Sequence, residues 1–247
     1  MVPTERGGST AASVAWHPMA TTSGRRPRDA QRRRVYLAET PLPSSPLPGL
    51  EACARFADRV VGTLWWHERF PERDLGNVPR LRPGNGARQA FYREEETGPT
   101  ITLPRRYRTK GVVLHELTHW ALGIDSGLPH HGRTFARVLL DAVGEFCGPD
   151  HAAVLSASYE EHGVHIARPP RRGPDGRLHY GWDERLRVNK GATGLVKINW
   201  NVDGEEHELQ GCFDGYERGS SVLRCWGIDG HLVRIPTKSV WAVRDVC

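Results

Sequence analysis

Residues 112–123 read VVLHELTHWALG and place His115 and His119 four positions apart, with Glu116 directly after the first. On an α-helix, residues i and i+4 lie on the same face, so both imidazoles can reach one metal ion. Zinc favours nitrogen ligands, and a catalytic zinc site keeps three protein ligands and one open position. Glu116 is then placed to take a proton from a zinc-bound water. Because the same string also occurs by chance in ordinary helices, the flanking sequence decides between a metal site and two incidental histidines.

The flanking residues predict a helix with a strand before it. Thr109 is a suitable N-cap for a helix from Lys110 to Leu122, and Gly123 is a typical stop signal. The preceding segment ARQAFYREEETGPTITLP is typical of two strands, 88–93 and 100–103, around a Gly-Pro turn. Two further helices are predicted after Gly123, one in GRTFARVLLDAVGEFCG and one over 149–161. A strand followed by the metal-binding helix is the order that a zinc peptidase core requires.

A third ligand is needed to complete the site, and the sequence offers three candidates. His130 and His131 follow at the start of the next helix, where a loop can return an imidazole to the metal. Another class of zinc peptidase uses a glutamate on the following helix, for which Glu145 is the candidate. Spacing alone leaves His131, His130 and Glu145 open.

HELTH followed by HHGRTF resembles the SprT-like zinc metalloproteases, whose pattern is H-E-x-x-H and then His-Gly-x-x-Phe at the next helix. The chain more closely resembles a family of actinobacterial metallohydrolases of uncharacterised activity. The resemblance covers about residues 28–168 and includes RDAQRRRVYLAE, TLP and YEEHGV. It implies a zincin-like core, a small sheet with the H-E-x-x-H helix and following helices. It also implies that His131, which precedes Gly132, is the third ligand, with His130 as the alternative.

A hydrolase also needs a group that stabilises the oxyanion, commonly Tyr, His or Arg beside the metal. Tyr159, His162 and His165 lie in SYEEHGVHI, a segment that the fold could return toward the site. Each also has a simpler interpretation, in which the tyrosine packs in the core and the histidines cap a helix.

Composition divides the chain into four parts within a predicted α+β fold. Residues 1–28, rich in Ser, Thr, Gly, Pro and Arg, are predicted to be a disordered basic arm. Residues 29–167 form the predicted metallohydrolase domain, and 168–178 form a Pro- and Gly-rich linker. Short β-branched and aromatic runs between Asp-Gly turns predict a small C-terminal β domain over 179–247, similar to an SH3-like barrel.

Charge and cysteine content limit the partners and the compartment. Much of the net charge of +5 comes from residues 1–50, which hold seven Arg against three acidic residues. Nucleic acid is therefore a weak expectation, restricted to the basic arm. SprT-like proteins often carry a Cys-rich zinc ribbon for DNA, which the five scattered cysteines do not form. These cysteines favour a reducing cytoplasm, and no apolar run is long enough to span a membrane.

The sequence thus predicts a zinc-dependent hydrolase, most simply a metallopeptidase acting on a peptide or protein. His115, His119 and His131 are the expected zinc ligands, and Glu116 is the expected general base. One alternative is a zinc-stabilised binding module without activity, in which the C-terminal β domain does the binding. Another is a metal-dependent hydrolase of a non-peptide amide. Preference for a peptide bond is an argument by analogy with proteins that share the motif.

Overall fold

The computed structural model describes residues 27–41, 45–123, 126–189, 195–217 and 221–246. Within them the fold is mixed α+β, as the sequence predicts. Most of the predicted basic arm, and with it the expected contact to nucleic acid, lies outside the described residues. Among the described helices, none combines the length and the apolar character needed to cross a bilayer.

In the described residues of the N-terminal two thirds, six α-helices and three strands surround one hydrophobic core. In chain order they are α1 (Pro27–Glu39), α2 (Leu50–Val61), α3 (Leu64–His67), β1 (Arg80–Pro83), β2 (Phe91–Glu95), β3 (Gly98–Leu103), α4 (Lys110–Leu122), α5 (Arg133–Cys147) and α6 (Pro149–Glu161). Trp66 stacks on Trp120 of α4 inside this core, with ring centroids 5.7 Å apart. The helix that carries the H-E-x-x-H motif is therefore anchored on its apolar side.

The predicted helix boundaries around the motif are confirmed, since the capping residues act locally. The Thr109 hydroxyl accepts a hydrogen bond from the Val112 backbone N–H at 3.3 Å and begins α4. Gly123 ends the helix with a φ of +74°, which glycine adopts without the steric cost that a side chain would impose. The helix predicted over Pro149–Glu161 is α6, with the same bounds.

A three-stranded sheet lies beside α4, in the order β1-β3-β2. β2 runs antiparallel to β3, and β1 runs parallel to it. The two predicted strands are present, although β2 lies slightly further along the chain than the predicted range 88–93. β1 was not predicted, because its four residues RLRP show no apolar run. In the described part of the chain β2 pairs only with β3, which makes it an edge strand.

The C-terminal third contains β4 (Arg171–Arg172), β5 (Leu178–His179) and α7 (Trp182–Val188), followed by five strands. These strands are β6 (Val196–Val202), β7 (Glu205–Tyr216), β8 (Val222–Gly227), β9 (Leu232–Pro236) and β10 (Val240–Asp245). They form an antiparallel sheet in the order β10-β6-β7-β8-β9. The prediction of a closed barrel is wrong for the described residues, since β9 and β10 are the two edges and do not pair. The sheet instead buries its apolar side against Trp182 and Leu186 of α7.

The segment predicted as a linker, 168–178, contains regular structure. Arg171 and Arg172 pair antiparallel with His179 and Leu178. The Arg171 guanidinium also donates to the backbone carbonyls of Thr237 and Val240, so the hairpin is bound to the C-terminal sheet. The division into a metallohydrolase domain and a β domain stays a prediction.

Candidate metal centre

Three histidines from two parts of the chain meet at the start of α5. His115 and His119 project from one face of α4, and His131 comes from the loop immediately before α5. One ring nitrogen from each lies within 4.8 Å of those of the other two. Nε2 of His131 is 3.3 Å from Nε2 of His115. The structure therefore brings together the three residues that the sequence and the resemblance select.

The one short distance in the cluster matches two nitrogens that share a metal ion. Two nitrogens bound at 2.0–2.1 Å in tetrahedral geometry lie about 3.3 Å apart, which is the separation of the His115 and His131 nitrogens. Burial holds the pKa of His119 well below its ordinary value, and it also lowers the pKa of His131. Both rings are therefore neutral near pH 7 and can offer a lone pair to a metal.

Glu39, at the end of α1, orients the ring of His115. Its two carboxylate oxygens lie 3.0 and 2.9 Å from Nδ1 of His115. A carboxylate at Nδ1 favours the tautomer that carries the proton there, which leaves the Nε2 lone pair for the metal. Burial alone would lower the pKa of His115, but the charge and hydrogen bonds of Glu39, together with the charge of Glu116, raise it.

Glu116 lies on the same helix turn as the ligands and is almost fully buried. Burial raises its pKa to about 7, against the opposing effects of His115 and of a hydrogen bond with the Tyr92 backbone in β2. A carboxylate with a pKa near the working pH is well suited to accept and release a proton. A pKa near 7 is compatible with the predicted role of Glu116 as general base, which stays a prediction.

Aromatic rings enclose the three histidines. Phe135 of α5 lies 4.9, 4.5 and 4.8 Å, centroid to centroid, from the rings of His115, His119 and His131. Tyr36 of α1 stacks on His115 at 5.6 Å and lies 4.9 Å from His131. The phenylalanine of the His-Gly-x-x-Phe pattern thus packs directly on all three ligands and restricts their rotation.

The two other ligand candidates lie outside this cluster. His130 is exposed, and its ring centroid is 6.2 Å from that of His119. Glu145 is an exposed residue near the end of α5. Among the described residues, the group of converging side chains contains the three histidines and neither of these two.

Among the described contacts, none joins the three residues considered for oxyanion stabilisation, Tyr159, His162 and His165, to the histidine cluster. Tyr159 is fully buried in the core, and among the described residues no partner hydrogen-bonds its hydroxyl. Burial raises the pKa of Tyr159 well above its ordinary value, and the nearby charge of Glu39 adds to the increase. His162 ends α6, and the His165 backbone exchanges hydrogen bonds with the Gln31 side chain on α1. The simpler interpretation thus describes Tyr159, which packs in the core, and His162, which caps a helix, whereas His165 contacts α1 instead of capping a helix.

Sequence reasoning did not identify Glu39 or Tyr36 as site residues. Glu39 is 76 positions from the histidine that it contacts, and no spacing rule connects them. Their i and i+3 placement in VYLAE does predict a shared helix face, but it does not predict what that face meets. Only the resemblance, which includes RDAQRRRVYLAE, drew attention to this segment of the sequence.

Comparisons with known proteins found no relative of this chain. A scan against protein-family models gave no match, and searches of curated proteins and of solved structures likewise gave none. The resemblance to SprT-like proteases and actinobacterial metallohydrolases therefore stays a prediction.

Replacing Glu39 with glutamine is expected to weaken zinc binding about 10- to 100-fold, the usual effect of losing a carboxylate behind a histidine ligand. The amide keeps the size of the side chain but removes the charge that orients His115. Competition with a fluorescent chelator measures the affinity. Glu51→Gln is the matched control, because this exposed carboxylate pairs with Arg55 on the surface of α2. Equal affinity in wild type and Glu39→Gln would show that Glu39 does not support the ligand.

Proposed function

We propose that this protein is a zinc-dependent hydrolase and that its substrate is a peptide or protein. The observation that carries the proposal is the convergence of His115, His119 and His131 beside the buried carboxylate of Glu116. Three imidazoles are a ligand set that suits zinc, and three protein ligands are the number found in catalytic zinc sites. A structural zinc site would instead be expected to have four ligands.

Each group of the chain then has a defined task. A divalent ion bound by the three histidines would supply the positive charge that makes a water nucleophilic and a carbonyl electrophilic. Glu116 takes the proton of the attacking water and passes it to the leaving amine, which its raised pKa favours. Glu39 holds the first imidazole, and Phe135 limits water around the rings.

A peptide substrate is supported by the edge strand β2. This strand has one neighbour among the described strands, and the Tyr92 backbone in it hydrogen-bonds the Glu116 carboxylate. An extended peptide can add to the free edge of a sheet through main-chain hydrogen bonds. A chain added beside β2 would pass close to Glu116. The sheet followed by the ligand-bearing helix also supports a zincin-like core.

Tyr36 is the group best placed to contact the substrate oxygen. Its ring covers His115 and His131, and the Arg32 side chain hydrogen-bonds it from the exposed surface of α1. A phenol hydroxyl beside the ligands can donate a hydrogen bond to a carbonyl oxygen that gains negative charge. We therefore assign this task to Tyr36 in place of Tyr159, His162 and His165.

The direct test is hydrolysis of denatured casein and of a peptide library by the purified full chain. We expect cleavage that stops on treatment with a zinc chelator and returns when zinc is added. Chelator-sensitive hydrolysis of small amides without peptide cleavage would support the second candidate, a hydrolase of non-peptide amides. Zinc binding without hydrolysis of either class would support a non-enzymatic binding module.

Tyr36→Phe is expected to lower kcat by up to about 100-fold, since one donor to the developing oxyanion is lost. Zinc content should not change, because the phenyl ring keeps its packing on the histidines. Steady-state kinetics with the cleaved peptide measure the effect. Tyr107→Phe is the matched control, as that hydroxyl donates to the Arg88 carbonyl. A wild-type kcat in Tyr36→Phe would contradict the role of this tyrosine in stabilising the oxyanion.

A cytoplasmic location stays part of this proposal. The four described cysteines, Cys53, Cys147, Cys212 and Cys225, are free thiols. Free thiols are the common state of cysteine in reducing compartments.

A further inference from the structure

The loop that carries the third histidine is bound by the C-terminal part of the chain. Glu184 of α7 accepts hydrogen bonds from the backbone N–H groups of Arg133 at 2.9 Å and Thr134 at 2.6 Å. Arg133 and Thr134 begin the first turn of α5, which follows His131 and Gly132. Their N–H groups have no partner within the helix, so the carboxylate satisfies donors that would otherwise be unpaired.

Gly132 allows this contact. A Cβ atom at position 132 would fall far inside contact distance of the Glu184 carboxylate, and it would also crowd the Pro129 backbone carbonyl. The backbone φ of Gly132 is −73°, an ordinary value for any residue, so the requirement is for space rather than for conformation. The glycine of the His-Gly-x-x-Phe pattern is therefore the point where a carboxylate from α7 reaches the helix start.

The other end of the same loop is also held from the C-terminal side. The Arg185 guanidinium donates to the Ser126 backbone carbonyl at 2.9 Å and pairs with Asp245 at the end of β10. Asp245 also accepts a hydrogen bond from the Asn189 side chain at 2.8 Å. Contacts from α7 thus bracket residues 126–134, the described segment that includes His131.

We propose that α7 is a clamp that holds the His131 loop in its metal-binding position, with Glu184 as the main positioning residue. The C-terminal sheet then serves the metal centre, because its buried face packs on Trp182 and Leu186 of the same helix. This inference rests on His131 being a metal ligand, which is part of the proposed function. It does not depend on hydrolysis or on the substrate.

The test compares zinc affinity among full-length variants of two adjacent buried carboxylates. Glu184 and Asp183 are each 4% exposed, but only Glu184 bonds the start of α5. We expect Glu184→Ala to weaken zinc binding at least about tenfold, the lower end for loss of a group that supports a ligand. Glu184→Gln, which keeps one accepting oxygen, should lie between Glu184→Ala and wild type. Asp183→Asn should bind zinc as wild type does.

A spectroscopic measurement separates positioning from general destabilisation. The cobalt-substituted protein has visible absorption that depends on the number and arrangement of ligands. We expect the Glu184→Ala spectrum to shift toward that of His131→Ala, and the Asp183→Asn spectrum to match wild type, even where both variants lower Tm. If Glu184→Ala does not fold, the same comparison is made with Glu184→Gln.

Two results would overturn the clamp. One is a Glu184 variant with a lower Tm and unchanged zinc affinity and cobalt spectrum. The other is an Asp183→Asn variant that loses as much zinc affinity as the Glu184 variant. Both results would leave the proposed function intact, provided that His131→Ala loses zinc. Absence of zinc binding in the wild-type chain, in contrast, would remove the proposed function itself.

Discussion

Glu116→Gln is expected to bind zinc with wild-type stoichiometry and to lose hydrolysis by about 100- to 10,000-fold, the usual contribution of a general base. The amide has nearly the shape of the carboxyl but cannot accept the proton of the attacking water. Because burial raises the pKa of Glu116 to about 7, the surroundings already tolerate an uncharged group at this position. We therefore expect the variant to fold and to keep its three histidines in place.

The measurement pairs kcat on the cleaved peptide with the zinc content of the same preparation. Glu145→Gln is the control, since this exposed glutamate on α5 was the alternative ligand and lies outside the histidine cluster. It should keep both zinc and activity. Full activity in Glu116→Gln would contradict general-base catalysis by this residue, whereas loss of zinc would mean that Glu116 binds the metal.

His131→Ala is expected to lose zinc on buffer exchange, while His130→Ala retains one ion per chain. The free energy of zinc binding in structural sites is about 10–16 kcal/mol and is shared among four ligands, so one ligand contributes a few kcal/mol. Removing one therefore lowers affinity by at least about 100-fold. His131 has its Nε2 3.3 Å from that of His115, whereas the neighbouring His130 is exposed.

Zinc per chain, measured by atomic emission after dialysis, distinguishes the two variants. The substitutions are adjacent and chemically identical, so each serves as the control for the other. Loss of zinc from His130→Ala alone would reverse the ligand assignment. Retention by both variants would mean that the ion is held without either histidine.

The parts of the fold that the sequence predicts well depend on local chemistry. Thr109 and Gly123 act within one turn of the helix that they bound, so the limits of α4 follow from the residues themselves. The pairing of His115 with His119 follows from helical periodicity. The choice of His131 over His130 rested on the resemblance, because adjacent residues in a loop have no periodic rule to separate them.

The missed parts depend on contacts between distant segments. Glu39 and Glu184 support the site from 76 and 51 positions away, and neither has a motif of its own. The helix α7 has seven residues, WDERLRV, of which four are charged. Such a short polar stretch carries too little periodicity to predict a helix, and its stability comes from Trp182 and Leu186 packed on the sheet. The same packing replaces the barrel closure that the strand pattern suggested.

The packing of the Phe135 ring affects the entropy of metal binding at the proposed site. It touches all three imidazoles, while Tyr36 covers His115 and His131 from the other helix. Side chains held in this way lose their rotational entropy when the chain folds, before any ion arrives. In the proposed metal site, binding would then give up less freedom than it would with mobile ligands, which is the general advantage of a preorganised site.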